Sequence, residues 1–261
     1  MEQSTSNNRG LGRYWNMVWE LAVTDFKMRD QGTFLGFFWT LLHPLLYFIV
    51  FYNLFKKWMG HHISQFPLYL IIGIVQWTFF ATATSSAIAA IKRGGEFVKS
   101  INFPKSVLVY SSVLTILFSY LIEMAILLIF WVFIGESLSL KVFLLIPILL
   151  LQLLLIMGLA FLLATISVFF LDIERIWGIF TSLGLFLTPI FYTMELLSPE
   201  KRWIILINPM THIIQSSRAI MLDDMIPQMR GLSYVLGLSL VFLLSGRYVF
   251  SKYEGLFVEK I

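Results

Sequence analysis

VLVYSSVLTILFSYLIEMAILLIFWVFI, residues Val107–Ile134, carries a single charged side chain, Glu123. A short connection later, VFLLIPILLLQLLLIMGLAFLLATISVFF, residues Val142–Phe170, carries none. A helix crosses about 30 Å of hydrocarbon with roughly 20 apolar residues, and both runs exceed that. Neither alternates apolar with polar, so the spanning element is a helix and not a barrel strand. Four further segments read the same way: Phe34–Phe55, Leu68–Ile91, Ile176–Tyr192 and Leu232–Phe250. The fifth in chain order, Ile176–Tyr192, is short for a span. The expected fold is an all-α membrane protein with six transmembrane helices, forming one domain over residues 1–261. Composition agrees: 58% hydrophobic, 13% charged and a mean hydropathy of +0.82 lie outside the soluble globular range.

The same numbers exclude several functions. A chain of 261 residues filled by spans has no room for a soluble catalytic domain. A net charge of +4 does not imply a nucleic-acid partner. The absence of Cys removes disulfides, thiolate metal sites and cysteine nucleophiles. The polar start, Met1 to Gly12, does not read as a signal peptide. No G-x-x-x-x-G-K-[ST] loop is present to cradle ATP phosphates. Such a chain conducts passively, uses an ion gradient, or takes its energy from a partner.

Basic residues set the expected orientation. Arg9, Arg13, Lys27 and Arg29 precede span one, and Lys92, Arg93, Lys99 and Lys105 lie between spans two and three. Arg175 follows span four, and Arg247, Lys252 and Lys260 lie at the chain's end. The opposite side has Lys56, Lys57 and Lys141, with Lys201, Arg202, Arg218 and Arg230 in its long loop. Both termini are therefore expected in the cytoplasm.

Two flanking features are unusual. Trp15, Val18, Trp19, Ala22, Val23 and Phe26 form one apolar stripe at helical period, with Arg13, Asn16, Glu20, Thr24 and Lys27 opposite. This predicts an amphipathic helix over 13–29 lying in the leaflet interface. It serves either as a simple anchor or as a lipid-headgroup site through Arg13, Lys27 and Arg29. After Tyr192, two short apolar runs are divided by Asn208-Pro209. They predict a re-entrant hairpin over 199–222, since irregular backbone at membrane depth persists only against protein or a water-filled cavity.

These pieces in this order resemble the permease subunit of bacterial polysaccharide and polyol-phosphate ABC exporters, the ABC-2 type family that exports O-antigen and teichoic acid. The resemblance rests on Leu35-Gly36-Phe37-Phe38-Trp39 with His43-Pro44, on Val98 to Lys105 with its Phe103-Pro104, and on Leu171-Asp172-Ile173-Glu174-Arg175. Thr188-Pro189-Ile190-Phe191-Tyr192 and Asn208-Pro209 complete it. Leu171 departs from the family, which often has Arg there, and Val109 stands where a second Pro is common.

The resemblance implies a homodimer on two copies of a P-loop ATPase, with no cofactor in this chain and ATP and Mg bound by the partner. It implies a coupling loop over Lys92–Lys105, with Lys92, Arg93, Glu96, Lys99, Phe103 and Pro104 facing the ATPase beside Asp172, Glu174 and Arg175. It implies a polysaccharide linked to undecaprenyl diphosphate as cargo and the bacterial inner membrane as location, within O-antigen and lipopolysaccharide biosynthesis. Sugar C–H faces pack on aromatic rings. The expected pathway lining is therefore Trp39, Tyr47, Phe51 and Tyr52 in span one, with Phe186, Phe191 and Tyr192 in span five. For each ring, lipid contact or helix packing is the competing reading.

Glu123 is expected to face the bundle, because a carboxylate at the bilayer centre costs about 2.5–3.5 kcal/mol on insertion scales. Its role is a structural hydrogen bond, gating, or proton coupling. His43 beside Pro44 could bond a freed carbonyl. No metal is assigned to His61-His62. The small residues Ala81 to Ala87 permit close helix approach. A teichoic acid or capsule exporter is the nearest alternative. A proton-coupled secondary transporter using Glu123 is the rival from another class, and it requires inverted repeats and further buried ionisable groups. An intramembrane enzyme requires a carboxylate cluster or Ser-His-Asp constellation, and Asp223-Asp224 has no accompanying base.

Overall fold

The computed structural model describes residues 2–29, 38–60, 63, 65–95, 103–133 and 139–260, and these are helical with short connections. The long helices are α1 (Glu2–Arg29), α2 (Phe38–Met59), α3 (Phe66–Arg93), α4 (Ser106–Phe133) and α5 (Leu145–Phe169). They are followed by α6 (Ile173–Leu187), α7 (Pro199–Ile207), α8 (Pro209–Met221), α9 (Met229–Tyr253) and a last turn, α10 (Phe257–Lys260). Among the described residues, Phe66–Arg93, Ser106–Phe133, Leu140–Phe169 and Met229–Lys260 are long and apolar enough to cross a membrane.

The expected fifth span differs in its bounds. Its helix begins at Ile173 and stops at Leu187, with the carbonyl of Gly184 taking the amide of Thr188. Glu174 and Arg175 belong to its first turn, where an acidic residue suits the helix N-terminus. Pro189 prevents continuation, so Phe191 and Tyr192 lie beyond the helix.

α3 is the central element. It packs on α2, α4, α5, α6 and α8, and Leu70, Ile72, Ile74, Ala83 and Ile91 lose essentially all contact with solvent. α5 and α9 form the closest pair, because glycines meet glycines there. A Cβ on Gly246 would fall 2.5 Å from the Gly158 oxygen, and one on Gly158 would fall 2.6 Å from the Leu243 nitrogen. Backbone thus approaches backbone, the arrangement small residues permit between membrane helices.

The apolar stripe of α1 does form a helix face, but it faces protein. Val18 and Ala22 are fully buried against α4. Contacts climb in register: Tyr14 Oη lies 2.9 Å from Ser106 Oγ, Thr115 Oγ1 donates to the Ala22 carbonyl at 3.2 Å, and Arg29 donates to Ser119 Oγ at 2.9 Å. α1 therefore runs alongside the first half of α4, in the same direction. Trp15 and Trp19 keep about half their surface exposed while touching Tyr110 and Phe118.

From α2 to α6 consecutive helices alternate in direction, so two ends are defined. One end gathers the close of α3, the start of α4, the junction of α5 with α6 and the close of α9. The Lys105 amide, one of the unpaired donors before α4, is satisfied there by Glu254 Oε1 at 2.6 Å. The other end holds α7, α8 and the Lys141–Asp224 ion pair at 2.8 Å.

Candidate functional site

A polar cleft runs between α2, α3 and α4. Thr78, Thr82, Ser85 and Ser86 recur at helical spacing on one face of α3 and line a cavity of about 560 Å³. α4 contributes Ser119, Tyr120 and Glu123, α2 contributes Trp39 and His43, and Arg29 and Arg93 lie at its charged side. The run Ala81–Ala87 thus has two faces. Ala83, Thr84 and Ala87 are buried, whereas Thr82, Ser85 and Ser86 open onto the cleft. A second cavity of about 280 Å³ shares His43, Thr78, Thr82 and Ser85 and extends to Tyr47, Trp77 and Thr181. His43 meets Tyr47 edge-on at 4.8 Å, between the two. Pro44 sits inside α2, where it removes one helix hydrogen bond.

Glu123 faces this cleft, as its expected inward position requires, and is 9% exposed. Arg29, exposed on α1 like Arg13 and Lys27, differs from them in turning its guanidinium onto Ser119, at mid-length of α4.

The expected pathway aromatics fall into two groups. Tyr47, Phe51, Phe186, Phe191 and Tyr192 come together at the far end. Tyr47 stacks on Phe51 at 5.8 Å, Phe51 on Phe191 at 5.4 Å, and Phe191 meets Phe186 at 5.8 Å and Tyr192 at 5.3 Å. Phe55, which the sequence reading passes over, completes the group at 4.6 Å from Phe191. Trp39 lies in the first cavity instead. Tyr52 turns to another face and stacks on Phe48 and Phe66.

Arg218 is the largest departure from the sequence reading. Counted by composition as an outer-loop charge, it is 4% exposed and sits in the core. Its Nε donates to the Tyr69 carbonyl at 3.1 Å, its Nη1 to Pro189 at 2.6 Å and its Nη2 to Ile190 at 2.8 Å. The guanidinium lies 3.4 Å from the Tyr69 ring centre. Gly73 makes the room, since a Cβ there would meet Nη2 at 2.6 Å. Tyr69 Oη donates to the Tyr192 carbonyl at 2.9 Å, and Asn208 Nδ2 to Thr188 Oγ1 at 2.8 Å. The chain break after α6 is thus held by α3 and α8, and with it the aromatic group. Beneath, Gln76 donates to Ser217 at 2.8 Å, accepts from Tyr120 at 3.2 Å, and its carbonyl accepts from Gln152 at 3.0 Å. This buried network joins α3, α4, α5 and α8. Its members are ordinary polar residues in apolar runs, and only their positions on facing helices reveal it.

At the other end, Lys92 and Arg93 close α3, and Arg93 donates to the carbonyl and hydroxyl of Ser86 at 2.8 and 2.9 Å. Phe103 and Pro104 precede α4, with Lys105 Nζ 5.8 Å from the Phe103 ring. Asp172 and Arg175 pair at 3.8 Å, both exposed, with Glu174 between them in sequence. Glu96, Lys99 and the His61-His62 pair lie outside the described residues. At the far end, Lys141 donates to the carbonyl and carboxylate of Asp224, and this pairing holds the Asp224 carboxyl below its ordinary range.

Residues 17–222 match the family described as ABC-2 type transporter. Relatives match over nearly their whole length. The O-antigen export system permease protein RfbA of Myxococcus xanthus is 29% identical over 255 residues, covering 97% of this chain and 98% of the relative. A protein of the same name from Klebsiella pneumoniae is 28% identical over 255 residues, covering 95% and 96%.

Proposed function

The chain belongs to the ABC-2 type transporter family, and from that premise we propose that it is the membrane-spanning half of an ATP-driven exporter of lipid-linked polysaccharide, working as a homodimer on two ATPase subunits. The observation that carries the reading is the match with O-antigen export permeases over nearly the whole chain. In this reading α2, α3, α4, α5, α6 and α9 are the six spans of a single domain in the bacterial inner membrane, with both termini cytoplasmic. The far-end pair α7–α8 is the re-entrant hairpin, and α1 rises from the cytoplasmic leaflet, where Arg13 meets lipid headgroups.

The end that gathers Lys92, Arg93, Phe103, Pro104, Asp172, Glu174 and Arg175 is the docking face, with Glu96 and Lys99 in the same loop. ATP and Mg belong to the partner. Coupling follows from differential contact: nucleotide favours whichever permease conformation this face holds more tightly. The cleft under α3 and the far-end aromatics form the pathway. Its hydroxyls suit sugar hydroxyls, and its rings suit sugar C–H faces. A glycan-type cargo, O-antigen-like, is favoured over a proton-coupled solute because the relatives that match along the whole chain are export permeases.

The test is reconstitution in vesicles with the P-loop ATPase encoded beside it. ATP-dependent movement of an undecaprenyl-diphosphate-linked glycan is expected. The same movement without any ATPase, driven by a proton gradient, would overturn the reading.

A further inference from the structure

Glu123 presents a problem that the fold does not solve. It is nearly buried in α4, and among the described residues none donates a hydrogen bond to its carboxylate. Its oxygens are not sealed in the packing but open to the cavity, and a carboxylate at membrane depth has a functional reason to be there. The carboxylate borders the cavity of about 560 Å³, which is large enough for a sugar ring and its water.

The chemistry of the walls narrows what could supply the donor. Arg29 lies on the same cavity, and its positive charge disfavours a bare cation. Glu123 in turn disfavours a phosphate. What remains is a neutral ligand that both donates and accepts hydrogen bonds. Its donors meet Glu123, and its acceptors meet Arg29 and the hydroxyl of Thr82. Trp39, half-exposed on the same cavity, offers a flat apolar face.

We propose that this cavity is a saccharide-binding station and that Glu123 is its specificity-determining residue, accepting hydrogen bonds from ring hydroxyls. The proposal rests on the export reading above and adds a recognition step within it. The glycan is held at mid-depth by α1, α2, α3 and α4 before it reaches the far-end aromatics.

The absence of native cysteine makes a direct test possible. Ser85→Cys is placed in the full-length chain, reconstituted with its ATPase in nanodiscs, and labelled with a charged thiosulfonate. Undecaprenyl-diphosphate-linked glycan from the encoding cells is the probe, and undecaprenyl diphosphate alone is the control. The glycan conjugate is expected to slow labelling at least fivefold, and the lipid diphosphate is expected not to. Combining Ser85→Cys with Glu123→Ala should raise the half-protecting concentration by at least about tenfold, the size that one hydrogen bond to a charged group carries.

Glu123→Gln keeps the shape and one acceptor oxygen. It should shift the value less, and it serves where the alanine variant fails to fold. Equal protection by undecaprenyl diphosphate, or protection unchanged in both Glu123 variants, overturns the proposal. Ser85→Cys vesicles that translocate the glycan while the cysteine stays unprotected overturn this step alone. Wild-type vesicles that translocate nothing overturn the export reading with it.

Discussion

Replacing Arg218 with Met removes the guanidinium while keeping much of the side-chain volume. Three carbonyls, those of Tyr69, Pro189 and Ile190, then lose their donor. Hydrogen bonds to a charged group are worth about 1.5–3 kcal/mol each, so the gross loss is roughly 4.5–9 kcal/mol. Burying a cation costs several kcal/mol, and the apolar replacement recovers that penalty. The net local loss is about 3 kcal/mol. Because each 1.4 kcal/mol is a tenfold change in an equilibrium constant, opening of the segment after α6 should become roughly 100-fold more populated.

Hydrogen exchange in nanodiscs reads this directly. The Ile190 amide, which donates to the Thr188 carbonyl at 2.7 Å, should exchange about 100-fold faster, whereas amides in the middle of α5 should not change. Arg218→Lys retains the charge but replaces a planar fork with a single ammonium, so it should loosen the same segment and not rescue it. Unchanged exchange over residues 186–192 in a folded Arg218→Met protein would refute the argument that the guanidinium holds this break.

Gly246→Val should abolish stable expression, because its Cβ would fall 2.5 Å from the Gly158 oxygen and neither backbone can yield without separating α5 from α9; detergent-solubilised monodisperse protein at wild-type yield would contradict this. The Lys141–Asp224 contact should vary with pH. Asp224 is held below its unfolded-state value, so its stabilisation is fully present above that value and is lost as pH falls through the lowered folded one. Thermal melts of wild type and Asp224→Asn should therefore converge under acid and separate towards neutrality.

Legibility followed the physics of each signal. The helices Ser106–Phe133 and Leu145–Phe169 are plain in sequence, since little besides a membrane helix sustains such apolar length. The stripe Trp15 to Phe26 is equally plain as a helix, but its partner is not. Lipid and a neighbouring helix place the same apolar demand on Val18 and Ala22, so the sequence reading favours lipid where the fold supplies α4. Ile173 begins α6 three residues before the apolar run because Glu174 and Arg175 can occupy a first turn at the surface.

The aromatic group was readable in outline, since Phe191 and Tyr192 beside a proline mark a helix end. Phe55 was not, because only the bend after α6 brings it within 4.6 Å of Phe191. Arg218 defeated composition altogether. A positive residue in a broken segment reads as solvated, and its three carbonyl partners lie 28, 29 and 149 positions away along the chain. The cleft face of α3 was hidden for a related reason: Thr and Ser spaced by turns look the same whether they pack tightly or meet water.

The single bond from the Lys105 amide to Glu254 has a mechanical consequence. It gives the segment leading into α4 a direct grip on the tail of α9, although the two are distant in sequence. The glycine seam fixes α9 to α5 along its length, so a tug on that segment is delivered to a two-rod block and not to one rod. The block is joined to the core through α5, which packs on α3 and donates from Gln152 and Ser167 to its carbonyls, while α9 leaves most of its own span window unburied. A small displacement at one surface is therefore carried by the block as a unit into the packing around α3.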